Sequence, residues 1–463
     1  MLRAAPTFRG PRWPQITSRS LRVGDGSPRD LALDFRDGRA FQVKSGWELI
    51  RGLLIFRMCS FPTLVNNAEK LLCWSRRVLG RRGFEAVMRV TVYGQFVAGS
   101  SAAEVRDSEG RLRALGMRAM LAVPIEEDLG QSRSGEGWYE GNERAMLGCL
   151  DISGGGEPPG MMQLKITALM SAELCKKLTV RLKEPRGAEE LAIDRLLCVM
   201  DGEDLPFPSL TELERRHFLC SLRRLRDVGQ YAVRRRVRIL VDAEYTYLNP
   251  ALSLVTMTMM AKFNSSQAWI WNTYQCYLKA VSELIAADIH TAAERGVCFG
   301  VKLVRGAYMD KERASALTQG RSDPIAESWE ATNISYQRVL DHLLELSAKH
   351  RDKYRVIVAT HNEHSVQHTL GRMRELNIEK DDGIVCFGQL MGMCDHVSVT
   401  LGMAGYMVYK SLPYGAVDTV IPYLVRRAQE NQAVLQGVRQ EQQLLRRELR
   451  RRFRLPGART TPS

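Results

Sequence analysis

Between residues 47 and 90 apolar side chains recur at helical spacing, Leu53, Phe56, Leu64, Leu71 and Leu72 among them, and predict helices. A further helix is expected over 101–117. After residue 160 the texture changes. Strand-like apolar runs are read at 163–169, 237–243, 268–277, 298–304, 354–360, 383–387 and 406–409, and amphipathic stretches such as 336–348 and 365–376 lie between most of them. Strands that alternate with helices predict a parallel sheet covered by helices. Seven visible runs, with an eighth expected in the long gap between 169 and 237, fit an α/β fold of the (β/α)8 barrel type. A doubly wound fold would call for G-x-G-x-x-G after an early strand, and none is found.

The flanking segments read differently. Residues 1–45 lack sustained periodicity and carry Pro6, Pro11, Pro14 and Pro28, so they are expected to be presequence and linker. An N-terminal helical region is expected over 46–125. Residues 126–160, rich in Gly, Ser and Glu, are expected to be an insertion or loop; no Gly-Lys-Ser/Thr follows their glycine run, so it is not a phosphate-cradling loop. The barrel is placed at 161–435 and a basic tail at 436–463.

A net charge of +14 suggests a nucleic-acid partner until it is mapped. Residues 1–30 carry +4 and residues 426–463 carry +7, which leaves +3 for the 395 residues between them. A nucleic-acid enzyme would spread its basic residues over the working face, so no nucleic-acid partner is expected. Arg3, Arg9, Arg12, Arg19 and Arg22, with no acid before Asp25, match a mitochondrial transit peptide, although an unstructured basic tail has the same composition. No stretch approaches 18 consecutive apolar residues, so no spanning helix is predicted. The ten cysteines are scattered without a C-x-x-C pair, which argues against a disulfide scaffold and a cysteine-ligated zinc site.

Barrel enzymes carry reactive groups at the C-terminal ends of their strands. Those ends hold Lys165, Asp242, Glu244, Gln275, Lys302, Arg305, His361, Asn362 and Gln389. Structural salt bridges account for two or three such groups; an active site accounts for the set, since burying them idle is costly. The spacing of His361, His364 and His368 invites a zinc reading, but no carboxylate or cysteine completes it, and no metal is expected. On a helix, Tyr423, Arg426, Arg427 and Glu430 share a face. Either that face is solvated, or its two guanidinium groups clamp a carboxylate. Periodicity leaves both open.

Seven segments in order, over roughly 160–432, together resemble the proline dehydrogenase family. They are Leu-Lys165-Ile-Thr, Val-Asp242-Ala-Glu, Gln275-Cys-Tyr, Val-Lys302-Leu-Val-Arg-Gly-Ala-Tyr308, Ala-Thr-His361-Asn362, Phe-Gly-Gln-Leu390-Met-Gly-Met and Tyr423-Leu-Val-Arg-Arg-Ala-Gln-Glu430-Asn431. The resemblance implies a flavoenzyme in which Lys165, Arg426 and Arg427 bind the substrate carboxylate. It also implies that Tyr308, Leu390 and Tyr423 enclose the pyrrolidine ring. Gln275, Lys302, Gly306, Ala307, Thr360, His361, Asn362 and Glu430 are implied to contact FAD, with Asp242 ordering the cations beside it. The family often has Arg where Lys302 stands, and Lys lacks the planar fork.

The implied reaction passes a hydride from the ring carbon beside nitrogen to the flavin, and then electrons to a quinone, which places the protein on the matrix side of the mitochondrial inner membrane. The basic segment 446–454 reads either as a peripheral contact with anionic lipid or as a solvated helix end. One departure bears on substrate. Proline-specific members read Tyr-Lys-Tyr-x-Pro-Tyr-Gly, whereas this chain has Ser411 for the second Tyr. The vacated space and small hydroxyl suit a hydroxylated ring, which is the pattern of the hydroxyproline dehydrogenases. The alternatives are an ordinary L-proline dehydrogenase and a non-catalytic basic barrel that binds lipid or nucleic acid.

Overall fold

A computed structural model describes residues 33–125, 135–430 and 439–454. Eight parallel strands close into a barrel in sequence order. They are β1 (Met117–Ala122), β2 (Gly160–Leu164), β3 (Val237–Val241), β4 (Ile270–Gln275), β5 (Phe299–Val304), β6 (Tyr354–Ala359), β7 (Val385–Leu390) and β8 (Val408–Pro413). Closure is made by β1 against β8, with Met117 opposite Val408 and Ala122 opposite Pro413. Strands such as Val-Arg-Ile-Leu-Val are almost continuously apolar because a parallel sheet under helices is buried on both faces. The barrel floor is a cluster that includes Met120, Met161, Leu240, Trp271, Ile357 and Tyr409. Trp271 lies so close to β5 that a Cβ at Gly300 would fall 2.4 Å from its ring.

Three expectations are corrected. The gap between 169 and 237 contains no strand; it holds the helices Ala172–Arg181, Pro185–Glu190, Ile193–Met200 and Glu212–Arg235. The eighth strand is β1, well before residue 161. The helix expected over 101–117 ends at Arg113, and Gly116 turns the chain into β1 with φ +72°. A Cβ there would meet the Gly402 carbonyl oxygen at 2.2 Å, so a side chain is excluded. Residues 135–160 are likewise no simple loop. Helix Glu136–Ser153 makes the crossover from β1 to β2, with Tyr139, Met146, Cys149 and Leu150 buried on one face.

The segments outside the barrel are tied to it. The transit-peptide expectation falls on residues 1–32, outside those described. Phe41, in the region expected to be linker, is fully buried with Leu49, Phe56, Leu444 and Leu445. The described part of the expected C-terminal tail is the helix Arg439–Arg454. Its Glu441 accepts the backbone N–H groups of Cys394 and Asp395 at 2.8 and 3.0 Å, capping the helix Asp395–Met403 from outside. Lys44 and Lys410 both bond Asp395, at 2.5 and 2.8 Å. Burial alone would raise the Asp395 carboxyl, but these two cations outweigh it and hold it well below the usual range.

Candidate active site

The C-terminal ends of the strands open into a cavity of about 1190 Å³, walled on its far side by apolar residues such as Ile55, Leu64, Leu72 and Met88 of the N-terminal helices. Of the sixteen site residues expected from sequence, fourteen line it: Lys165, Asp242, Gln275, Lys302, Gly306, Ala307, Tyr308, Thr360, His361, Asn362, Leu390, Ser411, Tyr423 and Arg427. Arg426 does not, because adjacent residues on a helix diverge by about 100°. The side chain of Glu430 lies outside the described residues.

Lys302, on β5, reaches Asp242, just past β3, at 2.6 Å. Lysine is buried and aspartate largely so, which confines both charges to the cavity floor. Gln275 is held from two sides: its Oε1 accepts from Asn249 at 3.0 Å and its Nε2 donates to the Glu244 carbonyl at 3.2 Å. Beside it Gly306 adopts φ +136°, and a Cβ there would sit 2.0 Å from the Tyr277 ring. Only glycine lets this backbone pass.

On the opposite wall, Arg427 donates to the Tyr308 hydroxyl at 3.3 Å, and its guanidinium lies 5.7 and 5.5 Å from the rings of Tyr308 and Tyr423. Burial pushes the Tyr308 phenol up; Lys165 and Arg427 partly offset this, so the phenol stays neutral beside two cations. That arrangement is an aromatic slot with a positive end, suited to a small ring bearing a carboxylate.

Asn362 caps the helix Glu363–Glu375 by accepting the Ser365 N–H at 2.9 Å, and its own N–H donates to Thr360 Oγ1 at 3.1 Å. His361 Nε2 accepts the Leu390 N–H at 3.0 Å. Burial, then Lys410, lowers the His361 pKa to about 3, so the imidazole is neutral and carries its proton on Nδ1. His368 bonds Asp341 at 2.8 Å, which takes it away from His361. Among the described residues no group of three His, Cys, Asp or Glu could hold a metal.

Gln163 was not anticipated. It sits on β2 two residues before Lys165, so the strand period aims both at the same side, and it lines the cavity. Ser411 Oγ, on β8, donates to its Oε1 at 2.7 Å. Both belong to even-numbered strands, whose inward side chains share layers in a barrel of this kind.

The family model "Proline dehydrogenase" matches residues 157–440. The chain is 60% identical to the hydroxyproline dehydrogenase of Xenopus laevis over 422 residues, covering 91% of each chain. It is 51% identical to the human hydroxyproline dehydrogenase over 437 residues, covering 92% of this chain and 95% of that one. Identity to human "Proline dehydrogenase 1, mitochondrial" is 35%, over 91% of this chain and 90% of that one. Among solved structures, proline utilization A of Bdellovibrio bacteriovorus, inactivated by N-propargylglycine, superposes with a TM-score of 0.60 at 20% identity, covering 89% of this chain and 40% of the longer one. That likeness concerns the fold.

Proposed function

The chain belongs to the proline dehydrogenase family, and we propose that it oxidises trans-4-hydroxy-L-proline to 1-pyrroline-3-hydroxy-5-carboxylate, using FAD and passing the electrons to a quinone. The observation that carries this reading is the Ser411–Gln163 pair, 2.7 Å apart on the wall of a cavity that also holds Lys165, Tyr308 and Arg427. A hydroxyl and an amide together can accept from and donate to a ring hydroxyl, and a pocket built for such a group disfavours the analogue that lacks it.

The residues present fit the cofactor. Gly306 lines the cavity where its backbone packs against the Tyr277 ring, Lys302 and the fixed amide of Gln275 offer donors to a ring edge, and the helix opened by Asn362 offers backbone N–H groups. FAD when bound supplies the two-electron hydride acceptor. The chain's own part is to bind and orient. Lys165 and Arg427 hold the substrate carboxylate, with Arg426 adding positive charge from the adjoining face. Tyr308, Leu390 and Tyr423 flank the ring. Asp242 keeps Lys302 in place, and Glu430 and Ala307 complete the cofactor contacts. The substrate amine reacts unprotonated, since its lone pair stabilises the carbon that loses hydride.

By analogy with the relative named mitochondrial, the protein works in mitochondria, and the quinone acceptor proposed above puts it on the matrix side of the inner membrane. The second reading, L-proline as preferred substrate, draws on the 35% identity to proline dehydrogenase 1. Turnover of the two substrates at equal concentration decides between them. Faster hydroxyproline oxidation is expected; faster proline oxidation overturns the assignment.

A further inference from the structure

Twelve of the twenty-two large apolar side chains that stand exposed among the described residues fall between Trp47 and Val90. Helix Gly46–Cys59 buries Leu49, Ile55 and Phe56, yet turns Trp47, Ile50, Leu54 and Met58 outward, 43–51% exposed. These follow i, i+3, i+7 and i+11, so they form one stripe on a helix that is apolar on both sides. Helix Ala68–Val90 repeats the pattern: Leu71, Trp74 and Val78, at i, i+3 and i+7, are 45–65% exposed. Met58 and Leu71, one from each stripe, line the same cavity, which brings the stripes together, and exposed apolar surface of this extent marks a surface that is covered in use.

Its charge indicates what covers it. Residues 46–92 hold eight Lys or Arg against three Glu; Arg77 stands exposed between Trp74 and Val78, and Arg82 stands exposed just past the kink at Gly80 (φ +65°). We propose that this N-terminal face docks on an anionic lipid surface, with the two apolar stripes entering the interface and the arginines meeting headgroup phosphates. A two-fold contact with a second copy would set this positively charged patch against an identical one. The C-terminal helix is the poorer candidate. Its Arg451 and Arg452 are paired with Glu448, and Phe453 is the one exposed large apolar side chain it offers among the described residues.

Met58, Leu64 and Leu71 belong both to this face and to the cavity wall. Docking therefore sets the apolar mouth of the cavity against the bilayer, and an acceptor dissolved there enters without crossing water. This last step rests on the quinone reading; the docking does not.

The test is co-sedimentation of the full chain with vesicles of phosphatidylcholine and phosphatidylglycerol at roughly two to one, against phosphatidylcholine alone. Preferential binding to the anionic vesicles is expected. Leu54→Ser with Trp74→Ser, and separately Arg77→Glu with Arg82→Glu, should each cut partitioning by about tenfold or more, while Arg446→Glu with Arg447→Glu changes it less than about twofold. Substrate oxidation by a water-soluble dye should stay at the parent rate in all three. The arginine pair decides if the apolar pair fails to fold. Failure of the parent to bind anionic vesicles overturns the proposal. So does a loss confined to the C-terminal pair, or an N-terminal pair that converts a dimer to monomer with vesicle binding unchanged. If the parent binds vesicles but leaves a vesicle-dissolved quinone oxidised, docking stands and the acceptor assignment falls.

Discussion

Gln163→Met tests the substrate assignment at the atom that carries it. Methionine nearly preserves the length and volume of glutamine but removes both the acceptor that Ser411 uses at 2.7 Å and the amide donor. A neutral hydrogen bond contributes about 0.5–1.5 kcal/mol, which corresponds to roughly two- to twelvefold in kcat/KM. Hydroxyproline should lose that factor, whereas proline, with no ring hydroxyl to recognise, should stay within about twofold of the parent. Ser411→Ala should behave alike. The double variant should lose less than the product of the two singles, because residues in direct contact act as one unit. Ser411→Tyr both breaks the pair and fills its space, and should depress hydroxyproline by about a hundredfold while sparing proline. The assay is kcat/KM for both substrates on one preparation with a dye acceptor. Equal losses for the two substrates, or none for either, would refute the role given to this pair.

Three further outcomes follow from the site. Gly306→Ala places a Cβ 2.0 Å from Tyr277 at φ +136°, so a loss of about 3 kcal/mol or more and a reduced flavin content are expected; an unchanged melting curve and flavin content would contradict the close approach. Asp242→Asn leaves the Lys302 charge without its counterion on the cavity floor, which should cost about 2 kcal/mol by urea melting and at least about tenfold in kcat/KM, and parent-like behaviour would show the pair to be incidental. His361, whose pKa burial and then Lys410 lower to about 3, takes up a proton near pH 6.5 only when unfolded, so stability falls as pH drops from 6.5 towards 3. His361→Asn should flatten that fall in urea midpoints measured across the range, and identical slopes would exclude the neutral imidazole.

Much of the barrel was legible because parallel strands under helices must be apolar along their length, as β3, β5 and β6 are. β1 escaped because Met-Arg-Ala-Met-Leu-Ala is built from good helix formers and follows a helix directly; only Gly116, with its positive φ, marks the break. Helix Glu136–Ser153 was masked by the glycines and serines around it, although Tyr139, Met146 and Leu150 keep helical spacing. At the site, charged groups at strand ends were conspicuous because burying them is costly, whereas Gln163, a neutral residue inside a strand, carried no such signal. Its position two residues before Lys165 was the available clue. Arg426 and Arg427 looked equivalent in sequence, and only the rotation of the helix toward Tyr308 distinguishes them.

The most direct test is the visible spectrum of the purified full chain, recorded without oxygen before and after adding trans-4-hydroxy-L-proline. The account predicts a yellow protein whose flavin absorbance bleaches on mixing, faster than with an equal concentration of L-proline. A colourless protein, or a yellow one that hydroxyproline leaves unchanged, would contradict it.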